Sequence, residues 1–435
     1  MKKINSILKI WTICFLLISC SKDENVTDTD SNTDTSNTPN ILFIIADDLG
    51  KDAINGYTEG SVKPTTPNID AIRNSGLTFT NFWANPMCSP TRASIITGKY
   101  GYRTGVKNAG DVLNSSETSL QKYISDNTNK KYASALVGKW HLSGSNTSFN
   151  PESFGIDYYT GLIRGSLDNY YQWSLSEDGK SSTNTNYSTQ AFTDLAINWV
   201  NAQSKPWFLW LAYNAPHTPF HVPPTEMHHQ GNLPTYITGM NATPYFMAAI
   251  EAMDYQIGRL LSSIPQEERQ NTIIIFIGDN GTVNQVAQSP YSSSKVKSTL
   301  YQGGINVPMF ISGKGVSRTG KETNLINSTD LFATISEIAG INLTQYQDSK
   351  SFKSLFTQSS VIRKYQYSEM NDGTTDAWAI SNGIYKLIVN KSGNKEFYNL
   401  ETDAYEQKNL INGALTTIES SAITELETEL NTIRK

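Results

Sequence analysis

The sequence predicts an α/β protein: a large, mostly parallel sheet with helices on both faces, closed by a smaller C-terminal antiparallel α+β subdomain. Three observations carry this. Continuous apolar runs rich in β-branched residues, ILFII (Ile41–Ile45) and TIIIFI (Thr272–Ile277), have the pattern of strands covered on both faces. Amphipathic helical stretches alternate with such runs, the order of an α/β fold. Beyond about Ser351 the pattern shifts to short strands around an Asn382-Gly383 turn, a hairpin signal.

The elements follow in chain order. Lys2, Lys3 and Lys9 precede an apolar stretch, Ile10–Ile18, that is too short to span a bilayer comfortably. It ends in LISC (Leu17–Cys20), which resembles the bacterial lipobox, where cleavage precedes the cysteine and lipid is added to its thiol. Residues 1–19 are therefore expected to be a signal peptide and Cys20 the lipidation site. The polar, acidic residues 20–39 cannot pack a core and read as a flexible tether. The expectation is an exported lipoprotein of the outer membrane, facing surface or periplasm, that touches membrane only through its lipid.

From Asn40 the catalytic body is expected to run to residue 350, with the subdomain over 351–435. Trp207–Tyr213 and Val307–Ser312 read as further strands. Phe192, Leu195, Trp199 and Val200 share a helical face after a Ser188 cap. Phe246, Ile250, Met253, Ile257, Leu260 and Ile264 share another, with Pro244 at its start and Pro265 at its stop. A helix is expected from about Leu415. A net charge of -5 offers no basic surface for nucleic acid, and a mean hydropathy of -0.39 excludes a polytopic membrane protein.

Both long apolar runs end in acid: Asp47-Asp48 after the first, Asp279-Asn280 after the second. Functional groups gather at the carboxyl ends of parallel strands. Either pair alone is more readily a turn. Together they make an oxygen-only ligand set suited to a hard cation, Ca²⁺ or Mg²⁺.

The chain has 3 cysteines. Cys14 would leave with the signal peptide and Cys20 would carry lipid, so Cys88 has no intramolecular partner. In an oxidising compartment such a thiol is either buried and inert or no longer a thiol. Around it, in CSPTR, Ser89 is a candidate N-cap, Pro90 suits the first helical position and Gly98 ends the helix. Arg92 then falls in the first turn, where the helix dipole disfavours a cation, so a negative group is expected nearby. A solvent-facing arginine beside an inert cysteine is the alternative that this string leaves open.

Cys-Ser-Pro-Thr-Arg matches the Cys-x-Pro-x-Arg signature of the sulfatase family, and ASIITGKYGYRTG extends the match. PNILFIIADDLG resembles that family's opening strand and metal pair, and VGKWHL its Gly-Lys-x-His element. APHTPFHVP resembles its later histidine element, GDNG its second metal pair, and KSTLYQGGINVP its lysine with the following Gly-Gly segment. GIYKLIV and EFYNLETDAYEQKNL resemble the C-terminal subdomain. The match covers nearly all of residues 40–412 in the family's order. Gln302 stands where the family usually has Glu, and Asn306 where it often has Arg, departures that bear on packing or substrate contacts near Lys297.

The resemblance implies an alkaline-phosphatase-like fold and hydrolysis of a sulfate ester on a sulfated polysaccharide or its oligosaccharides. It implies oxidation of Cys88 to formylglycine by a separate formylglycine-generating enzyme. Asp47, Asp48, Asp279 and Asn280, with an oxygen of the modified Cys88, would hold Ca²⁺, or Mg²⁺ in its place. Arg92 would favour an ionised hydroxyl on residue 88. Lys139, Lys297 and His217 would neutralise sulfate, with His217 or Lys297 protonating the departing alcohol. His141 would take a proton from residue 88. His221 is expected to contact substrate, and Tyr102 and Arg103 to line the pocket; His228 and His229 receive no role. The rivals are a phosphonate or phosphate monoester hydrolase on the same fold and an inactive glycan-binding surface lipoprotein. The intact residue set argues against the second.

Overall fold

The computed structural model describes residues 38–146, 149–177, 179–371 and 374–435. The expected signal peptide, Cys20 and most of the tether lie outside the described residues.

Ten strands form one sheet: β1 (Asn40–Ala46), β2 (Leu77–Phe79), β3 (Ala133–Lys139), β4 (Tyr158–Leu162), β5 (Trp173–Glu177), β6 (Lys180–Asn184), β7 (Trp207–Ala212), β8 (Thr272–Gly278), β9 (Met309–Gly313) and β10 (Gly320–Glu322). Their order is β10-β2-β9-β8-β1-β7-β3-β4-β5-β6. The central strands β8, β1, β7, β3 and β4 are parallel, in register from Asn40 opposite Thr272 onward. The Val307–Ser312 run supplies β9, which joins antiparallel to β8 and β2, and β5 and β6 add an antiparallel edge. The sheet is mixed and mostly parallel, as the apolar runs predict.

Alternation along β1 separates two cores. Ile41, Phe43 and Ile45 enter one; Leu42, Ile44 and Ala46 enter the other. Six longer helices matter here: α1 (Pro67–Asn74), α2 (Cys88–Thr97), α3 (Ser188–Asn201), α4 (Thr243–Ser263), α5 (Asp330–Ile338) and α6 (Thr417–Ile433). α2 and α5 cover the first core with Ile95, Ile96, Leu331, Phe332 and Ile335. α1, α3 and α4 cover the second with Ile69, Phe192, Phe246, Ile250 and Ile257. α4 carries Pro244 in its first turn and stops before Pro265, which lacks the N–H needed to continue it. α3 begins one residue earlier than its sequence signal suggests: Tyr187 is the cap, and the Ser188 hydroxyl is buried without a partner.

The smaller sheet runs in sequential antiparallel order, β11 (Gln366–Met370), β12 (Ala377–Ser381), β13 (Tyr385–Asn390) and β14 (Lys395–Asn399). Gly383, in the turn between β12 and β13, has φ +92°, which a side chain would strain. α6 packs Leu426 and Leu430 on Leu387 and Phe397.

Candidate active site

The loops that leave β1, β3, β7 and β8 at their carboxyl ends meet the first turn of α2. β1 delivers Asp47 and Asp48, and β8 delivers Asp279 and Asn280. β3 delivers Lys139 and His141, and β7 leads to His217. Two backbone features allow the approach. Gly138 has φ +104°, and a Cβ there would lie 2.0 Å from the Ala212 carbonyl, so only glycine lets β3 present Lys139 beside β7. Asp48 takes φ +68°, and its N–H bonds Asp279 Oδ1 at 3.1 Å, tying the two acid pairs together.

Charge is dense and dry here. Lys139 Nζ lies 2.5 Å from Asp47 Oδ2, and Lys297 Nζ lies 2.6 Å from Asp48 Oδ2. Arg92 donates through Nη2 and Nε to Asp279 Oδ2 (2.8 and 3.2 Å) and through Nη1 to the Lys139 carbonyl (2.9 Å). The negative group expected beside Arg92 is thus Asp279. Arg92 is the fifth residue of α2, two residues beyond the position the sequence signal assigned. His217 Nε2 lies 3.7 Å from Asp48 Oδ2, while its Nδ1 faces the Thr218 carbonyl at 2.7 Å.

Cys88 is the first residue of α2, capped by Met87 without a side-chain bond. Ser89 is therefore not the cap. Its hydroxyl donates to the His141 carbonyl (2.8 Å) and accepts from Gly110 N–H, fixing the β3 loop against α2. Gly98 ends the helix in the left-handed region. Cys88 Sγ lies 3.1 Å from His141 Nδ1. Burial pushes the Cys88 thiol up. Burial, with Lys139 and Arg92 close by, holds His141 neutral, its pKa down at about 2. Burial and the Asp47 carboxylate push Asp279 up to about 6 against its Arg92 pairing, whereas Lys139, His217 and Arg92 together overcome burial and hold Asp47 low.

The donor set fits a hard cation. Asp47 Oδ1 and Asn280 Oδ1 are buried acceptors with no hydrogen-bond partner. Such an orphan costs its full desolvation unless something positive meets it. Asp47, Cys88 and Asp279 each offer an atom within 4.8 Å of the others, and so do Asp47, Asp48 and His217.

Other expected residues stand apart. His221 has both ring nitrogens engaged, Nδ1 with the Pro219 carbonyl and Nε2 with the Tyr187 hydroxyl, and its ring stacks on Tyr170 at 3.7 Å. It braces the wall and is not among the groups around Cys88. Tyr102 bonds the Ile433 carbonyl of the C-terminal subdomain, and Arg103 pairs with Asp348 at 3.2 Å. The side chains of Gln302 and Asn306 are engaged with each other and with Lys51. Asn306 Oδ1 accepts from buried Lys51 Nζ (2.7 Å) and its Nδ2 donates to Gln302 Oε1 (2.7 Å), giving Lys51 a neutral seat. Burial lowers Lys51 to about 7.

Sequence reasoning missed two supports and one open amide. The Tyr170 hydroxyl reaches the His217 carbonyl at 2.6 Å. Thr282 accepts from Gly50 N–H and donates to Asp52, steadying the turn after Asp48. Asn214, whose buried amide has no partner, follows β7 just as Asp47 follows β1. The strand-end rule applied to Trp207–Ala212 would have pointed to it.

Comparison with known proteins converges on this arrangement. The sequence profile of the sulfatase family matches residues 39–341, and that of the N-sulphoglucosamine sulphohydrolase C-terminal family matches residues 296–435. The chain is 28% identical over 364 residues to YdeN of Escherichia coli, described as an uncharacterized sulfatase, covering 71% of this chain and 64% of that one. It is 28% identical over 339 residues to human N-acetylgalactosamine-6-sulfatase, covering 70% of this chain and 62% of the other. It thus spans less than two thirds of the length of these relatives. The crystal structure of Ps i-CgsB in complex with k-i-k-neocarrahexaose superposes with a TM-score of 0.75 at 25% identity, covering 90% of this chain and 92% of that one. BT4656 shares the fold at 20% identity, with a TM-score of 0.75 over 91% of this chain and 98% of that one. A family profile running from the start of β1 to the end of α5, over a fold shared along nine tenths of the chain, places this protein in the sulfatase family.

Proposed function

We propose that this chain is a sulfatase that hydrolyses a sulfate ester on a sulfated polysaccharide or its oligosaccharides, from an exported lipoprotein anchored through Cys20 at the outer membrane. The observation that carries the reading is the surround of Cys88. A buried thiol sits against a neutral imidazole, orphaned carboxylate and amide acceptors lie on one side, and lysine N–H donors lie close by.

Asp47, Asp48, Asp279 and Asn280 would hold Ca²⁺, with Mg²⁺ the alternative, and such an ion supplies positive charge that favours an ionised oxygen near neutral pH. Conversion of Cys88 to formylglycine by a separate generating enzyme supplies, on hydration, an oxygen nucleophile where the thiol sits. Arg92 holds Asp279 and sets a fixed positive charge one turn from residue 88. Lys139 and Lys297 each carry three N–H donors and give one to a carboxylate, which leaves donors for sulfate oxygens. His217 commits Nδ1 to the Thr218 carbonyl, so Nε2 faces the site; with Lys297 it is placed to protonate the departing alcohol. His141, neutral, is placed to accept a proton from residue 88.

The carbohydrate part of the reading rests on the names of relatives, an N-acetylgalactosamine-6-sulfatase and a protein crystallised with a carrageenan-type hexaose. Peptide mass spectrometry over the Cys88 segment should find an aldehyde in place of the thiol. Sulfate release from sulfated oligosaccharides should exceed phosphate release from matched phosphate esters. A fully active protein with its thiol intact, or a clear phosphate preference, overturns the proposal.

A further inference from the structure

The segment from Leu162 to Gln172 is tied to both histidines of the site. At its start the Ile163 carbonyl accepts from His141 N–H at 3.0 Å, and the Leu162 carbonyl accepts from Trp140 N–H. Gly165 packs on the His141 ring so closely that a Cβ would lie 2.1 Å from Nε2. Toward its end, Tyr170 bonds the His217 carbonyl. Behind this bracket lies a cavity of about 290 Å³, lined by Arg164, Asp168, Gln172, Trp173, Ser174 and Ser176 among others. Ser174 and Ser176 are alternate residues of β5 and so present their hydroxyls on one face. Arg164 is exposed and, among the described residues, makes no ion pair or hydrogen bond. It stands one residue from the glycine on His141, in contrast to Arg92, Lys139 and Lys297, whose charges are all engaged by carboxylates.

This lining sets serine hydroxyls, the Gln172 amide and the Asp168 carboxylate among apolar surface from Leu162, Ile163, Leu167 and one indole, and carries a single guanidinium that is uncommitted among the described residues. It is suited to a sugar ring with an acidic substituent, because the planar fork of an arginine matches a carboxylate or sulfate with two parallel hydrogen bonds. Building on the sulfatase reading, we propose that the cavity is the subsite for the sugar unit next to the one carrying the scissile sulfate, and that Arg164 holds that neighbour's acidic group. The substrate class is then an acidic oligosaccharide rather than a monosaccharide sulfate.

The test uses Cys88→Ala protein, which binds without turnover. It is titrated calorimetrically with tetrasaccharides bearing uronate (chondroitin- and heparin-derived), tetrasaccharides bearing only sulfate (carrageenan-derived), and the corresponding monosaccharide sulfates. At least one tetrasaccharide class should bind about tenfold or more tighter than its monosaccharide; tightening confined to the uronate class points to a carboxylate, and tightening that extends to the carrageenan class points to sulfate. Adding Arg164→Ala should weaken that binding by about 10- to 100-fold, the worth of hydrogen bonds between charged groups, and Arg164→Lys should weaken it less. Equal binding of tetrasaccharides and monosaccharides, or indifference to Arg164→Ala, overturns the subsite. Sulfate release from the same panel by the unmutated protein reports separately on the sulfatase reading. Release with no Arg164 dependence would leave the sulfatase and remove only the subsite.

Discussion

At the strand ends, Asp47, Asp48 and Asp279 share a space with Arg92, Lys139 and Lys297, yet Asp47 Oδ1 and Asn280 Oδ1 accept no hydrogen bond, Arg92 Nη2 standing 4.0 Å from the former. Arg363, in the approach to the C-terminal sheet, is also buried, but all three of its guanidinium nitrogens are bonded. Its Nε and Nη2 grip both oxygens of Asp330, Nη1 reaches the Tyr100 hydroxyl at 3.0 Å, and Nη2 also reaches the Asp348 carbonyl at 3.0 Å. Asp330 further accepts the N–H groups of Asn327 and Lys350. The first region is incomplete as protein alone, whereas the second is closed. Buried charge that serves chemistry keeps valences open for something not encoded in the chain; buried charge that serves the fold spends them all on itself.

The largest expected effect breaks the first region only. Cys88→Ala should lower sulfate-ester turnover by about ten-thousand-fold or more, as removal of a nucleophile does, while leaving the thermal midpoint nearly unchanged. Steady-state assays beside differential scanning calorimetry measure both. Substantial residual turnover would place the nucleophile elsewhere.

The second region answers in the opposite way. Asp330→Asn should cost about 3–5 kcal/mol of stability, the usual penalty for leaving a buried charge unpaired, with kcat little changed in protein that remains folded. Denaturant titration against activity reads the contrast, and a parallel fall in both would mean the two regions are coupled. Removing the proposed cation is the milder counterpart in the first region. Chelation should lower the thermal midpoint and abolish turnover, and Ca²⁺ at about 100 times its Kd should return about 2.7 kcal/mol. In Asp47→Asn protein that stabilisation should shrink.

These two regions were unequally legible in the sequence. Asp47-Asp48 and Asp279-Asn280 could be placed because continuous apolar runs reveal buried parallel strands, and such strands present function at their carboxyl ends. The Arg363–Asp330 pair spans 33 residues and joins a helix start to a loop, and no period or local motif announces it. Local signals also misled where a tertiary partner outbid them. Ser89 looked like a helix cap, but the His141 carbonyl takes its hydroxyl. His221 follows His217 in one short motif, and no local pattern announces the Tyr187 and Pro219 partners that its ring nitrogens face. Gln302 and Asn306 read as departures near Lys297 because the sequence cannot show that buried Lys51 needs neutral acceptors there.

The smallest expected effect sharpens what a closed pair is worth. Lys386 Nζ pairs with Glu406 and donates to the Leu300 carbonyl at 2.6 Å, while Glu406 accepts Gln302 N–H, joining β13 to the segment that follows Lys297. Both charges are almost wholly buried, and burial drives Lys386 down and Glu406 up, so desolvation weighs against the pair despite its contact. Lys386→Met alone should cost about 3–5 kcal/mol, because it strands Glu406. Adding Glu406→Gln keeps an acceptor for Gln302 N–H and removes the stranded charge, so the double variant should return to within about 1 kcal/mol of the parent. A double-mutant cycle by denaturant titration measures the recovery. If the two losses simply add, the coupling between Lys386 and Glu406 is zero, their pairing is not what holds this junction, and the contrast between open and closed charge would need a second stabilising term.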